Sequence, residues 1–146
     1  MSYKPGIRDG SGFTLIELTI IIVVVAVIAT LGIPVMGDMI TASKVASTRK
    51  ELTTLKIAIA GKSGASNIRG YENDVGSPPP DLQGLYIKPE GVADWNKFTR
   101  IGWNGPYIDG ANGSYLKDAW GIDYAYDPSG RSIKSVGGPD TITVVF

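Results

Sequence analysis

The chain contains no cysteine and no histidine. Without cysteine there is no disulfide staple and no thiol chemistry. Without histidine, the commonest general base and the commonest transition-metal ligand are both missing. A Ser-His-Asp site is therefore excluded, and an enzyme would have to work with carboxylates or lysine alone. Charge of one sign is lacking too, because 14 basic residues balance 14 acidic ones. No basic stripe of the kind that binds nucleic acid stands out, so no nucleic-acid partner is expected. The phosphate loop G-x-x-x-x-G-K-[ST] does not occur, so ATP hydrolysis would belong to another protein. These absences predict a chain that is not an enzyme.

What is present begins with a long apolar run. Residues 13–36 carry one charge, Glu17. As a helix the run would measure about 36 Å at 1.5 Å per residue. The hydrocarbon core of a bilayer is about 30 Å thick. Residues 13–36 are thus expected to form a transmembrane helix. Lys4 and Arg8 precede it, so the N-terminus is expected on the cytoplasmic side and the rest of the chain outside. A cleaved secretory signal fits poorly. Its apolar region is about 7–15 residues, followed by a small-x-small site, whereas Ala26 and Ala29 are three positions apart. A plain membrane anchor fits the length but leaves Glu17 without a reason. A carboxylate within a membrane helix is costly and marks function by default. Gly32 and Pro34 lie late in the run, and proline removes a helix hydrogen bond, so a kink or a locally melted turn is expected there.

Beyond the run, residues 37–60 read as an amphipathic helix. Val45, Leu52, Leu55 and Ile59 form one stripe at helical spacing. Gly61, Gly64 and Gly70 end it. Residues 61–120 read as a variable loop region containing Ser77-Pro78-Pro79-Pro80, a run that excludes a strand interior. A short helix is expected near residues 81–86, with Asp81 as its cap. Trp95, Trp103 and Trp120 are expected to pin core and loops rather than to cage a ligand. Residues 121–146 predict a three-stranded antiparallel meander. Ile122, Tyr124 and Tyr126 alternate in the first strand, residues 133–136 form the second, and Ile142, Val144 and Phe146 alternate in the third. Asp127-Pro128-Ser129-Gly130 and Gly137-Gly138-Pro139-Asp140 supply the turns. The fold class expected is α+β, with a long helix packed on a small sheet.

The segment Gly12-Phe13-Thr14-Leu15-Ile16-Glu17-Leu18 resembles the type IV prepilin signature over seven contiguous positions. The resemblance implies a pilin fold and a leader spanning residues 1–12. It implies cleavage between Gly12 and Phe13 by a prepilin peptidase at the cytoplasmic face, with N-methylation of Phe13 to methylphenylalanine. It also gives Glu17 an assembly role, neutralising the N-terminus of a neighbouring subunit. Gln83-Gly84-Leu85, Gly105-Pro106-Tyr107-Ile108 and Asp118-Ala119-Trp120-Gly121-Ile122-Asp123-Tyr124-Ala125-Tyr126 resemble, in order and spacing, the major pseudopilin of type II secretion systems.

That resemblance implies a structural filament subunit that drives export of folded proteins. Its implied partners are further copies of itself, minor pseudopilins, the prepilin peptidase and the inner-membrane assembly platform. The subunit would start as a single-pass inner-membrane protein with its C-terminal part in the periplasm, then enter a filament. The alternative within the superfamily is a type IV pilin of a surface pilus used for adhesion, motility, DNA uptake or electron transfer. In the pseudopilin family a C-terminal loop binds calcium. Here Asp140 is the only carboxylate left in that loop, so it is a weak calcium candidate. Asp118, Asp123 and Asp127 could add ligands only if the fold brought them together. The alternative role for these aspartates is to satisfy turn amides, and no cofactor is expected.

Overall fold

The structure is a computed structural model that describes residues 12–62, 64 and 68–146, and the backbone alone at 31–35. The proposed leader, with Lys4 and Arg8, thus lies outside the described residues apart from Gly12. The Pro34 side chain, and with it the expected helix break at Gly32 and Pro34, lies outside them as well. The chain divides into one unit ending at Met39 and a second, Ile40–Phe146.

Helix α1 is Leu15–Ala60 and contributes to both units. Its early part is rich in β-branched residues, with Thr19, Ile20, Ile21, Ile22, Val23, Val24 and Val25 in succession. In water such a run favours strands. The segment is instead helical, with backbone amides bonded to carbonyls four residues back. The hydroxyls on this stretch are satisfied locally as well. Thr19 donates to the carbonyls of Leu15 and Ile16 at 2.8 and 2.9 Å, and Thr30 to that of Val27 at 2.8 Å.

In the second unit, α1 presents the expected stripe. Leu52, Leu55 and Ile59 are buried, Ala58 joins them, and Val45 is half-buried. Thr48 continues the stripe as a fully buried polar residue. Its Oγ1 accepts the Ala119 amide at 3.3 Å, so the hydroxyl is not stranded in the core. Gly61 ends the helix region at φ +77. Gly70 then returns onto it so closely that a Cβ there would lie 2.2 Å from the Gly61 nitrogen. A side chain at Gly70 would push the two segments apart.

The 61–120 region combines loops with short helical elements. It contains helix α2, Tyr71–Val75, and two 3-10 turns, Leu82–Leu85 and Ser114–Leu116. The first turn is the one expected, and Asp81 caps it by accepting the Gly84 amide at 2.9 Å. Tyr71, Leu82, Leu85 and Tyr115 from this region share one core cluster with the α1 stripe, Tyr124 and Ile133. Pro79 is buried and its carbonyl accepts the Tyr126 hydroxyl at 2.9 Å.

The sheet is an antiparallel meander in the order β1-β2-β3, with β1 Ala125–Asp127, β2 Ser132–Ser135 and β3 Ile142–Val145. Ile133 pairs with Tyr126 on one side and Val144 on the other, and is fully buried. The α+β architecture is as expected, but the first strand is shorter. Ile122 and Tyr124 precede β1 because their backbone bonds go elsewhere. The Asp118 amide donates to the Ile122 carbonyl at 2.8 Å, and the Tyr124 amide to the Leu116 carbonyl at 3.0 Å. The second strand starts at Ser132, after Arg131 at φ +49, and ends before Val136.

Candidate functional site

The first candidate region is the start of α1. Gly12, Phe13 and Thr14 lie ahead of the helix in no regular element. Phe13 is 77% exposed, and no atom comes within 4 Å of a Cβ built at Gly12. The Gly12–Phe13 bond thus sits in open, non-helical backbone. Thr14 caps the helix, since its Oγ1 accepts the Glu17 amide at 3.3 Å and its carbonyl accepts the Leu18 amide at 3.2 Å. Sequence reading missed this cap, although T-x-x-E at Thr14–Glu17 is the spacing of a capping box. Glu17 lies in the first turn, where the helix dipole favours a carboxylate. It is exposed and enters no ion pair among the described residues.

The helix that follows has no polar face for about three turns. Leu15, Ile16, Leu18 and the Ile and Val side chains through Ile28 are all exposed. Among the described residues no helix is long and apolar enough to cross a membrane. Residues 31–35, part of the 13–36 run, have no described side chains.

The second candidate region is Asp118. Its carboxylate is buried and accepts four hydrogen bonds. Oδ1 takes the amides of Trp120 and Ile122, each at 3.0 Å. Oδ2 takes the Ser135 hydroxyl at 2.7 Å and the Gly137 amide at 3.1 Å. A Cβ at Gly137 would lie 2.5 Å from Oδ2, so the approach needs glycine. Burial pushes the Asp118 carboxyl up, but the bonds from Ser135, Ile122, Trp120 and Gly137 outweigh it and hold it below its ordinary value. The residue is a clasp joining the loop before β1 to the end of β2.

Both Asp118 oxygens are already taken by hydrogen-bond donors. The donors around Asp118 direct positive hydrogens at both oxygens, where a metal would bind. Asp123 is turned to Lys117 at 2.7 Å, and Asp127 caps the Gly130 amide at 2.8 Å. Asp140 is exposed. Among the described residues no group of three or more His, Cys, Asp or Glu converges to hold a metal ion. Asp118, Asp123 and Asp127 take backbone amides, the Ser135 hydroxyl and the Lys117 ammonium.

A second polar knot was not legible in the sequence. Asp74 is buried, and Arg69 makes an ion pair with its Oδ1. The Tyr107 hydroxyl donates to Asp74 Oδ2 at 3.2 Å and accepts the Asn104 amide at 2.9 Å. Burial first, then the Asp74 charge, push the Tyr107 hydroxyl up to about 12. Arg69 also stacks on Trp95, 5.7 Å from the ring centroid. Trp103 sits against the core, and its indole N–H donates to the Gly84 carbonyl at 3.1 Å. Lys44 lies 5.9 Å from the Trp120 ring. Each indole is thus engaged by the chain's own groups.

Comparison with family models, curated proteins and solved structures gave no match.

Proposed function

We propose that the chain is a pilin-like filament subunit of the pseudopilin type. The observation that carries this reading is the unbroken prepilin signature over residues 12–18. The α+β layout of a long helix with a small antiparallel sheet is compatible with it. Cleavage after Gly12 would give Phe13 an α-ammonium, later N-methylated. Glu17 stands one helical turn further on. A carboxylate buried among apolar helices needs a cation, and the ammonium of the neighbouring subunit supplies one. That pairing sets the register at which each new subunit joins. Before assembly, residues 13–36 hold the subunit in the inner membrane, with residues 37–146 in the periplasm.

In this reading the subunit carries no catalysis. A prepilin peptidase processes it, an inner-membrane platform assembles it, and minor pseudopilins complete the filament. Growth of that filament pushes folded proteins outward. The absence of cysteine, and so of the C-terminal disulfide common in surface pilins, favours the secretion filament over the surface pilus. Deleting the protein is expected to abolish export of folded proteins through the secretion channel. Normal export in the deletion strain, with long surface filaments lost, would move the assignment to a surface pilus.

A further inference from the structure

Residues 94–103 form a small closed hairpin. The antiparallel bridge Asn96↔Ile101 joins the legs near the tip, and a parallel bridge, Asp94↔Trp103, lies at the base. Asn96 closes the tip. Its Oδ1 accepts the amides of Phe98 and Thr99 at 2.9 and 3.3 Å, and its carbonyl accepts the Arg100 amide at 2.7 Å. The base is fastened by the Gly102 amide, which donates to the Asp74 carbonyl at 2.8 Å, and by the Trp103 indole on Gly84. The hairpin is therefore held by polar bonds and its base, not by burial of its tip. Phe98 is 85% exposed and Ile101 61%. Lys97 and Arg100 stand on either side of Phe98 in the sequence, and the Lys97 ammonium lies 5.1 Å from the ring centroid. Neither cation enters an ion pair among the described residues. A fastened loop that displays an aromatic ring between two cations has the chemistry of an anchor.

The same unit carries a half-open cavity of about 180 Å³ between α1 and the 108–115 segment. Leu55, Ile108 and Tyr115 give it an apolar lining, and Thr54 lies at its edge. Glu51 and Asp109 supply two carboxylates. The Tyr124 hydroxyl donates to Glu51 Oε2 at 2.8 Å and so fixes that carboxylate in place. An apolar cavity of about 150 Å³ is large enough to take benzene. The cavity thus matches the hairpin in both size and charge, since it offers space for one phenyl ring and two anions for two cations.

We propose that the hairpin tip of one copy docks in this cavity of the next copy. Phe98 enters the apolar lining, and Lys97 and Arg100 face Glu51 and Asp109. The two surfaces are different patches, so the contact is heterologous. Such contacts build a ring where the rotation between copies closes and an open helical filament where it does not, and the filament reading takes the second case. The inference rests on the filament reading above and names the surface by which the soluble parts of neighbouring subunits recognise each other.

The absence of native cysteine makes the test clean. Full-length chains carrying Thr99→Cys and Thr54→Cys are co-expressed and treated in membranes with a short bifunctional maleimide. The 99–54 pair is expected to give a crosslinked dimer that a Thr99→Cys and Lys134→Cys control does not. Arg100→Glu and Asp109→Arg are each expected to cut the 99–54 product by about tenfold, and combining them should restore it. Restoration in the double variant shows that the single variants are folded. Filaments that assemble without 99–54 crosslinks, and with Arg100→Glu at the wild-type level, would overturn this interface and leave the filament reading in place. Crosslinked 99–54 pairs in cells that never form filaments would overturn the filament reading and leave the interface.

Discussion

Replacing Asp118 with asparagine is expected to destabilise the Ile40–Phe146 unit by about 2–4 kcal/mol. Four donors converge on this carboxylate, two on each oxygen. An amide keeps one acceptor oxygen and turns an NH2 group toward the other two donors. Two buried or half-buried donors then lose their partner, and one side of the clasp opens. Hydrogen bonds to a charged group contribute about 1.5–3 kcal/mol each, so losing two outweighs any repacking gain. Thermal unfolding of the full chain in detergent should show a midpoint lowered by roughly 10 °C or more.

The pH dependence follows from the lowered carboxyl. The folded-state value lies below the ordinary 3.8. The clasp's contribution is therefore fully present above that value and is lost as pH falls through the folded one. Wild type should lose this part of its stability in acid, and Asp118→Asn should lack the loss. Calcium should leave the wild-type midpoint unchanged, because donors already occupy both carboxylate oxygens. A variant as stable as wild type at neutral pH would show that the clasp does not hold the loop to the sheet.

If the filament reading holds, changing Glu17 to alanine is expected to abolish assembly while leaving the Ile40–Phe146 unit folded. Two effects could follow from the change, and their sizes separate them. Loss of a first-turn acid from a helix costs about 0.3–1 kcal/mol, too little to stop a filament. Loss of a buried partner charge costs about 3–5 kcal/mol because the other charge stays buried and uncompensated. In the proposed filament that penalty would fall on every subunit contact, so the assembled fraction should drop at least a hundredfold. Shearing or imaging of filaments from cells making Glu17→Ala measures this. Assembly within a few-fold of wild type would mean that Glu17 serves only the helix start that Thr14 caps.

The parts of the fold that were legible share a cause: their signals are local. The α1 stripe of Leu52, Leu55 and Ile59 repeats at the helical period. Asp81 caps a turn three residues away, and Asp127 with Gly130 marks the β1–β2 turn. Where sequence reading fell short, the deciding bond spans the chain. The first strand was drawn from Ile122 because the alternation is good, but Asp118 captures that segment from outside the sheet. Asp118 is itself set by Ser135 and Gly137, 17 and 19 positions away. Asp74 meets Tyr107 across 33 positions. Helix α2 is five residues between Gly70 and Gly76, too short to show a period. The start of α1 was legible because its apolar residues are contiguous. Thr14 was the exception, a local cap overlooked beside the louder glutamate.

The central claim is that residues 12–18 are a processing and assembly signal, not a plain anchor. Mass spectrometry of the protein isolated from its native membrane tests this most directly. Processing at this signal is expected to leave a chain that starts at Phe13 with one added methyl on its α-nitrogen. A mature chain that still begins ahead of Gly12, or is cut within the 13–36 run, would contradict it.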